Sequence, residues 1–87
     1  MTEVLLLTQP ACHLCDHAKD ILERLAPTFD LQVREISLQS DAGRSLAEQH
    51  RFLFAPGLIL DGRPFSYGRV SERKLRRELS RRALESR

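Results

Sequence analysis

The sequence predicts an α/β domain in which the elements follow the order β-α-β-α-β-β-α and four strands form one mixed sheet flanked by helices. Three observations lead to this prediction. The apolar run at 4–7 is followed by a turn and an amphipathic stretch, which indicates a strand and then a helix. A second strand after that helix completes a β-α-β unit, whose crossover makes the two strands parallel neighbours. Asp61-Gly62 follows the apolar run at 57–60 and precedes a returning strand at 63–67, and this strong hairpin signal adds an antiparallel pair.

The first half of the chain contains the predicted β-α-β unit. Glu3–Thr8 is mostly apolar, which is typical of a central strand buried on both faces. From His13 onwards apolar residues recur at helical spacing, and Pro27 is expected to end this helix. The second strand is predicted over Leu31–Leu38, because apolar and polar residues alternate there with a single slip.

A short second helix is predicted next. Ser40 or Asp41 is a good cap for it, and the helix continues to about Gln49. Its apolar residues are expected to face inward: Ala42, Leu46 and Ala47.

The hairpin and a third helix complete the order of elements. The hairpin strands are predicted at Gly57–Leu60 and Arg63–Tyr67. Because Pro64 has no N–H to donate to a neighbouring strand, the second of them is expected at an edge of the sheet. Ser71 then caps the last helix, predicted over about Glu72–Arg82, and the acidic residue in its first turn suits the helix dipole.

Length and composition indicate one small domain over residues 1–87. No apolar run approaches the roughly 18 residues that a membrane-spanning helix needs, so we expect no membrane association. The first residues lack the basic segment of a signal peptide, and the expected compartment is therefore the cytoplasm. Two cysteines alone make no disulfide framework, and in a reducing compartment a C-x-x-C pair is more typical of catalysis.

The net charge of +2 conceals an uneven distribution. Residues 1–62 carry five basic and nine acidic side chains, whereas residues 63–87 carry nine basic and three acidic ones. The basic cluster consists of Arg69, Arg73, Lys74, Arg76, Arg77, Arg81 and Arg82. It surrounds Leu75 and Leu79 at helical spacing, which is typical of the solvated face of an amphipathic helix. No aromatic residue lies among these side chains to stack on bases, so we expect no nucleic-acid partner.

The most informative motif is Cys12-His13-Leu14-Cys15. A cysteine at the start of a helix meets unsatisfied backbone N–H groups and the positive end of the helix dipole, which favour the thiolate. Its pKa is therefore expected to fall from about 8.5 toward the range of about 3.5–7.5 that reactive cysteines show. Cys15 lies one turn further on the same face, where it can attack a mixed disulfide formed at Cys12. We interpret the pair as a dithiol/disulfide switch.

Three features together resemble a known family. They are the C-x-x-C motif after the first strand, Ala55-Pro56 before the third strand, and Asp61-Gly62 in the hairpin. Over Leu5–Leu79 the chain resembles the thioredoxin superfamily, and within it the glutaredoxins and their small bacterial glutaredoxin-like relatives. The resemblance implies a thioredoxin-like fold of glutaredoxin type.

The resemblance also implies roles for individual residues. Cys12 would be the attacking thiol, Cys15 the resolving thiol, and Pro56 a cis-proline that faces them. A cis peptide would turn the backbone N–H and C=O of Ala55 outward, where an extended substrate backbone can pair with them. A trans proline that simply begins a strand is the alternative.

Several positions depart from the glutaredoxin pattern. Gln9 stands where a basic residue usually precedes the first cysteine, and Leu14 stands where an aromatic residue usually precedes the second. Phe54 replaces a threonine, and the segment before the last helix has one glycine, Gly68, followed by an added Arg69. These departures weigh against glutathione as co-substrate. Arg69 is a candidate to bind a substrate carboxylate in place of the missing basic residue.

The activity that the resemblance implies is thiol–disulfide exchange, which requires no bound cofactor. The catalytic candidates are Cys12 and Cys15, and the candidates for substrate binding are Gln9, His13, Ala55, Pro56, Gly68 and Arg69. The substrate would be a disulfide-bearing protein or a small thiol, and the electron donor glutathione or a thioredoxin-type reductase. A charged His13 would stabilise the Cys12 thiolate, whereas a solvent-exposed His13 would have little effect.

Two other classes of function stay open on the sequence. Cys12 and Cys15, with His13 or His17, would supply three ligands to Zn²⁺, or Cys12 would hold an intersubunit iron–sulfur cluster. His17 is otherwise expected at the surface. A thioredoxin fold used only as a non-catalytic interaction module is the other alternative, for which the basic last helix is the main argument. The sequence contains no second Cys/His cluster to complete a four-ligand metal site.

Overall fold

A computed structural model describes residues 1–85, so the last two residues of the predicted domain lie outside the described part. The elements follow the predicted order. Their bounds are β1 (Thr2–Thr8), α1 (His13–Phe29), β2 (Leu31–Ser37), α2 (Asp41–His50), β3 (Gly57–Leu60), β4 (Arg63–Tyr67) and α3 (Glu72–Glu85). The predicted four-stranded mixed sheet flanked by helices is confirmed, and each strand and helix lies within three residues of its predicted bounds.

The sheet has the strand order β2-β1-β3-β4. β1 and β2 are parallel, from Thr2 opposite Leu31 onwards, while β3 is antiparallel to both β1 and β4. This arrangement confirms the predicted parallel neighbours, the hairpin and the edge position of β4. Pro64 interrupts the β3–β4 register between Leu58 and Ile59, as expected of a strand residue without an N–H.

The two faces of the sheet carry separate apolar clusters. The larger cluster joins Val4 and Leu6 of β1 to the buried residues of α1 and α3, such as Leu22 and Leu75. The smaller cluster, centred on Leu7 and Ile59, packs against α2 on the opposite face. Successive strand residues point to opposite faces, so β1 supplies both clusters and is buried on both sides as predicted.

The first helix continues past the residue that was expected to end it. Pro27 lies inside the last turn of α1, which runs to Phe29, so the predicted stop is wrong. A proline there removes one backbone hydrogen bond, but Phe29 packs against the larger cluster and holds the turn. The chain leaves the helix at Asp30, in the left-handed conformation with φ 52°, where its N–H bonds the Ala26 carbonyl. No helix within residues 1–85 is long and apolar enough to span a membrane.

The second helix faces the sheet one position away from the prediction. Ser40 caps it as expected, and its hydroxyl accepts the N–H of Gly43 at 3.0 Å. Ala47 is buried and Leu46 half-buried, but Ala42 is exposed, and Gly43 is buried in its place. A Cβ on Gly43 would overlap the carbonyl oxygen of Ser37. The helix therefore approaches the end of β2 more closely than any side chain allows at that position.

Three loops meet at one end of the sheet. β1 ends there and leads into α1, while β3 begins there, since Leu7 lies opposite Gly57. β4 ends at the same side, because Gly57 lies opposite Tyr67. The C-x-x-C turn, the Ala55-Pro56 segment and the loop before α3 are thereby brought together.

Candidate functional site

Cys12 and Cys15 form a disulfide bond at the start of α1. Cys12 is the N-cap residue, in an extended conformation with φ −117°, and its sulfur accepts the backbone N–H of Cys15 at 3.0 Å. The carbonyl oxygen of Cys12 accepts the N–H of Asp16 at 3.1 Å. One sulfur therefore occupies the position at which a capping oxygen normally satisfies the helix N-terminus.

The two sulfurs differ in access to solvent. Cys15 is 2% exposed, whereas Cys12 is partly exposed at the surface. In the turn between β1 and α1, Ala11 directly before Cys12 adopts a positive φ of 51°. The arrangement offers one reachable sulfur, held by a hydrogen-bond donor that favours negative charge, and one sheltered sulfur.

The segment before β3 borders the disulfide turn. The Ala55–Pro56 peptide bond is cis, as the resemblance implied. The Pro56 carbonyl accepts the N–H of Gly68 at 2.7 Å, which joins this segment to the loop before α3. Gly68 has a φ of 83°, a conformation that favours glycine.

Ala55 has a backbone without internal partners. The residue is 5% exposed, and within residues 1–85 neither its N–H nor its C=O makes a hydrogen bond. Backbone N–H and C=O groups that have no partner in the protein are available to water or to a ligand. An extended peptide laid beside Ala55 would supply the missing partners.

An exposed apolar surface flanks the same segment. Leu53 is 80% exposed, and Phe54 stacks edge-on against Tyr67 with ring centroids 5.0 Å apart. Tyr67 also lies 5.4 Å from the ring of the buried Phe52. The sequence interpretation assigned these side chains no role, although the run of large apolar residues directly before the proline was visible.

A cavity of about 370 Å³ lies between α1 and the loop before α3. Its lining includes His17 and Ile21 of α1 together with Arg69 and Arg73. His17, which was expected at the surface, is half-buried where it lines this cavity. Its Nδ1 atom is buried without a hydrogen-bond partner among the described residues. The spacing of His17 from the cysteines could have drawn attention to it, but the lining contributed by the distant loop could not be foreseen.

Glu72 also lines this cavity and is already paired. Its carboxylate accepts a hydrogen bond from Arg24 at 2.6 Å and a weaker one from Arg76 at 3.4 Å. The hydrogen bond and charge of Arg24, assisted by Arg76, hold the pKa of Glu72 below its usual value. The ion pair between Arg24 and Glu72 connects α1 to the start of α3 beside this cavity.

The other sequence candidates occupy the periphery. Gln9 lies in the exposed turn between β1 and α1, and His13 is the exposed first residue of α1. Within residues 1–85 neither side chain makes a hydrogen bond or ion pair. Arg69 is exposed beside Gly68. The structure thus joins Pro56 and Gly68 directly and leaves Gln9, His13 and Arg69 open to solvent.

The described residues contain no group of three or more His, Cys, Asp or Glu side chains arranged to hold a metal ion. His13 and His17 therefore do not combine with the two cysteines into a three-ligand set.

The fold and the disulfide at the start of its first helix define a thioredoxin-like protein. The chain belongs to the family described as glutaredoxin-like domain (DUF836), whose family model matches residues 3–80. No curated protein sequence matches the chain.

Solved structures of similar fold cover most of the chain. A mutant thioredoxin from Halobacterium salinarum NRC-1 is 23% identical, with a TM-score of 0.69, over 90% of this chain and 71% of that one. Thioredoxin O2 from Arabidopsis thaliana in the oxidised state is 14% identical, with a TM-score of 0.70, over 93% and 74%. An uncharacterised thioredoxin-like protein from Clostridium perfringens is 13% identical, with a TM-score of 0.74, over 92% and 69%. At these identities the likeness concerns the fold.

Proposed function

We propose that this protein is a thiol–disulfide oxidoreductase that exchanges electrons through Cys12 and Cys15. The observation that carries the proposal is the contact between Cys12 Sγ and the Cys15 N–H, 3.0 Å apart at the N-terminus of α1. In the reduced protein the same donor would stabilise a Cys12 thiolate. Access supports the same assignment of roles, because only Cys12 has appreciable exposure.

The reaction consists of two exchanges. The Cys12 thiolate attacks one sulfur of the substrate disulfide, which breaks that bond, forms a mixed disulfide and releases the first substrate sulfur as a thiolate. The Cys15 thiolate then attacks Cys12 Sγ, forms the internal disulfide and releases the second substrate thiolate. Two electrons pass from the dithiol to the substrate, and the two protons that Cys12 and Cys15 lose on forming their disulfide are taken up, through the solvent, by the released thiolates. A thiol donor reverses these steps to restore the dithiol.

Ala55 and the neighbouring apolar side chains would receive the substrate. The unpaired N–H and C=O of Ala55 would pair with the backbone on one side of the substrate cysteine. Phe54 and Leu53 would contact apolar side chains next to it. A disulfide-bearing protein therefore fits the site better than a small thiol alone.

The electron donor is glutathione or a thioredoxin-type reductase, and the sequence departures favour the reductase. Gln9 carries no charge where a glutathione carboxylate would need one. We place the reaction in the cytoplasm, since a dithiol has to be kept reduced to act as a reductant. No bound cofactor is needed for either exchange step.

The first test is the redox equilibrium of the cysteine pair in graded glutathione buffers, read by alkylation and mass spectrometry. We expect a reversible internal disulfide with a potential between about −270 and −180 mV, the range of thioredoxin-like reductases and isomerases. A glutathione adduct retained on Cys12 would identify glutathione as the donor. Absence of any disulfide across the range would reject the proposal.

Single variants separate the two roles. A Cys15→Ser protein should accumulate the mixed disulfide with a disulfide-bonded peptide, because the resolving thiol is missing. A Cys12→Ser protein should form none, since Cys15 is 2% exposed. Equal trapping by both variants would contradict the assignment. Unchanged biological function of the double serine variant would support the interaction-module alternative.

A further inference from the structure

The arginines in and before α3 fall into two groups. Members of the first group make ion pairs: Arg76 with Glu72, Arg81 with Glu78 and Glu85, and Arg82 with Glu78 and Asp61. The second group consists of Arg69, Arg73 and Arg77, which are exposed and make no ion pair or side-chain hydrogen bond within residues 1–85. Three guanidinium groups of this region therefore make no ion pair within residues 1–85, although the carboxylate of Glu72 lies on the same surface.

These three side chains share one surface, which we call the arginine face. Arg73 and Arg77 are four residues apart in α3 and so lie on the same side of the helix. Arg69 lines the 370 Å³ cavity together with Arg73, and Arg73 and Arg77 line an adjoining hollow of about 560 Å³. Like charges placed four residues apart in a helix are mildly destabilising, so this arrangement costs stability in the free protein.

Two neighbouring residues relate the arginine face to the disulfide turn and to the cis-proline segment. His17, two residues after Cys15, lines the same cavity as Arg69 and Arg73. Gly68, next to Arg69, donates its N–H to the Pro56 carbonyl at 2.7 Å. A protein that brings a sulfur to Cys12 would therefore cover part of this face.

We propose that the arginine face docks an acidic segment of the protein whose disulfide exchanges with Cys12, an inference that rests on the proposed function. Guanidinium groups that have no ion pair within residues 1–85 attract the carboxylates of a partner, and complementary charge speeds association between proteins. Phe54 and Leu53 lie beside the same site and suit a protein surface. No aromatic side chain lies among the three arginines to stack on bases, so a protein fits better than a nucleic acid.

The test uses two peptides with the same internal disulfide, one flanked by three Asp or Glu residues and the other by Asn and Gln. The rate of their reduction by the reduced protein is divided by the rate with dithiothreitol, which removes differences in intrinsic reactivity. At about 20 mM salt we expect a roughly tenfold preference for the acidic peptide, which falls toward unity at about 500 mM. The triple variant R69Q/R73Q/R77Q should reduce both peptides at similar relative rates already at the low salt concentration.

A second triple variant provides the matched control. R34Q/R51Q/R63Q removes the same charge from exposed side chains that also lack ion pairs within residues 1–85 but lie outside the arginine face, in or after other elements than α3. It should keep the preference for the acidic peptide. Loss of the preference in both variants would show an effect of net charge alone and would overturn the docking surface.

The remaining outcomes are distinct. If both peptides are reduced but the acidic one is not preferred, or stays preferred in R69Q/R73Q/R77Q, the inference fails and the oxidoreductase function stands. If neither peptide is reduced, the proposed function fails and the inference fails with it. A labelled single-stranded oligonucleotide, followed by fluorescence anisotropy at about 150 mM salt, tests the rival partner. Its binding to the wild type alone, without a preference for the acidic peptide, would overturn the inference in favour of nucleic acid.

Discussion

The backbone N–H of Gly68 donates to the carbonyl oxygen of Pro56 at 2.7 Å. This bond joins the segment before β3 to the loop before α3, and it requires Gly68 to adopt a positive φ of 83°. A Cβ atom on Gly68 would lie only 3.2 Å from the ring of Phe54. One glycine therefore fixes the relative positions of the segment containing Ala55, the exposed aromatic ring and the start of the arginine face.

Gly68→Ala should slow disulfide exchange as well as destabilise the protein. A side chain at positive φ costs about 1–2 kcal/mol, and the added methyl group would displace Phe54 or the loop. Gly62→Ala is the matched control, because Gly62 has a φ of 82° but nothing within 4 Å of a Cβ. We expect both variants to lose stability in urea, Gly68→Ala by at least as much as Gly62→Ala, with a several-fold slower exchange only for Gly68→Ala. Equal exchange rates in the two variants would contradict the positioning role.

In the reduced protein, iodoacetamide should modify Cys12 before Cys15. At pH 7 we expect the Cys12 rate to be at least about ten times higher, because its thiolate is stabilised and accessible whereas Cys15 is 2% exposed. Peptide mapping of partly alkylated samples measures both rates. In concentrated urea the two rates should become similar, which is the control. Equal rates in the folded protein would remove the structural argument for Cys12 as the attacking thiol.

The order of the elements could be predicted because each signal is local. Apolar spacing, the Ser40 cap and the Asp61-Gly62 turn act within a few residues, and each agrees with the global fold. Pro27 was misjudged for the opposite reason. α1 continues past Pro27 because Phe29 packs against the larger apolar cluster. Here tertiary packing outweighs the local signal that proline gives for the end of a helix.

Only those parts of the site that belong to a sequence motif could be predicted. The C-x-x-C spacing and the family resemblance indicated the disulfide and the cis-proline, and both are present. The cavity beside His17 depends on a loop more than fifty residues away, so nothing near His17 in the sequence reveals it. Likewise, a row of arginines in the sequence does not show which of them meet a carboxylate. The structure separates Arg76, which is paired with Glu72, from Arg77, which has no ion pair in the described part of the chain.

Gly43→Ala should destabilise the protein although alanine is the better helix former. Helix propensity alone would favour alanine by about 1 kcal/mol, but the methyl group would overlap the carbonyl oxygen of Ser37. Displacing the helix from β2 costs more, and we expect a net loss of about 1–3 kcal/mol in urea denaturation. Ser45→Ala, an exposed change in the same helix, should be neutral or slightly stabilising. A stabilised Gly43→Ala protein would contradict the close approach of α2 to β2.

The carboxylate of Glu72 should make a contribution to stability that disappears in acid. Hydrogen bonding and charge from Arg24, with help from Arg76, lower the pKa of Glu72 in the folded protein. The unfolded chain therefore binds this proton more readily, and stability rises with pH through the interval between the two pKa values. The contribution is complete above the unfolded value of about 4.3 and is lost as pH falls through the folded value.

Urea denaturation of Glu72→Gln at several pH values measures this contribution. We expect the variant to be modestly less stable than the wild type at pH 7, with the difference closing below about pH 4 as the wild-type carboxylate becomes protonated. The difference should also shrink in concentrated salt, because the ion pair with Arg24 is partly exposed. Glu48→Gln is the control, since Glu48 is exposed and makes no ion pair within residues 1–85. It should leave the pH profile unchanged. A difference for Glu72→Gln as large at pH 3 as at pH 7 would mean that packing, not charge, links α1 to α3.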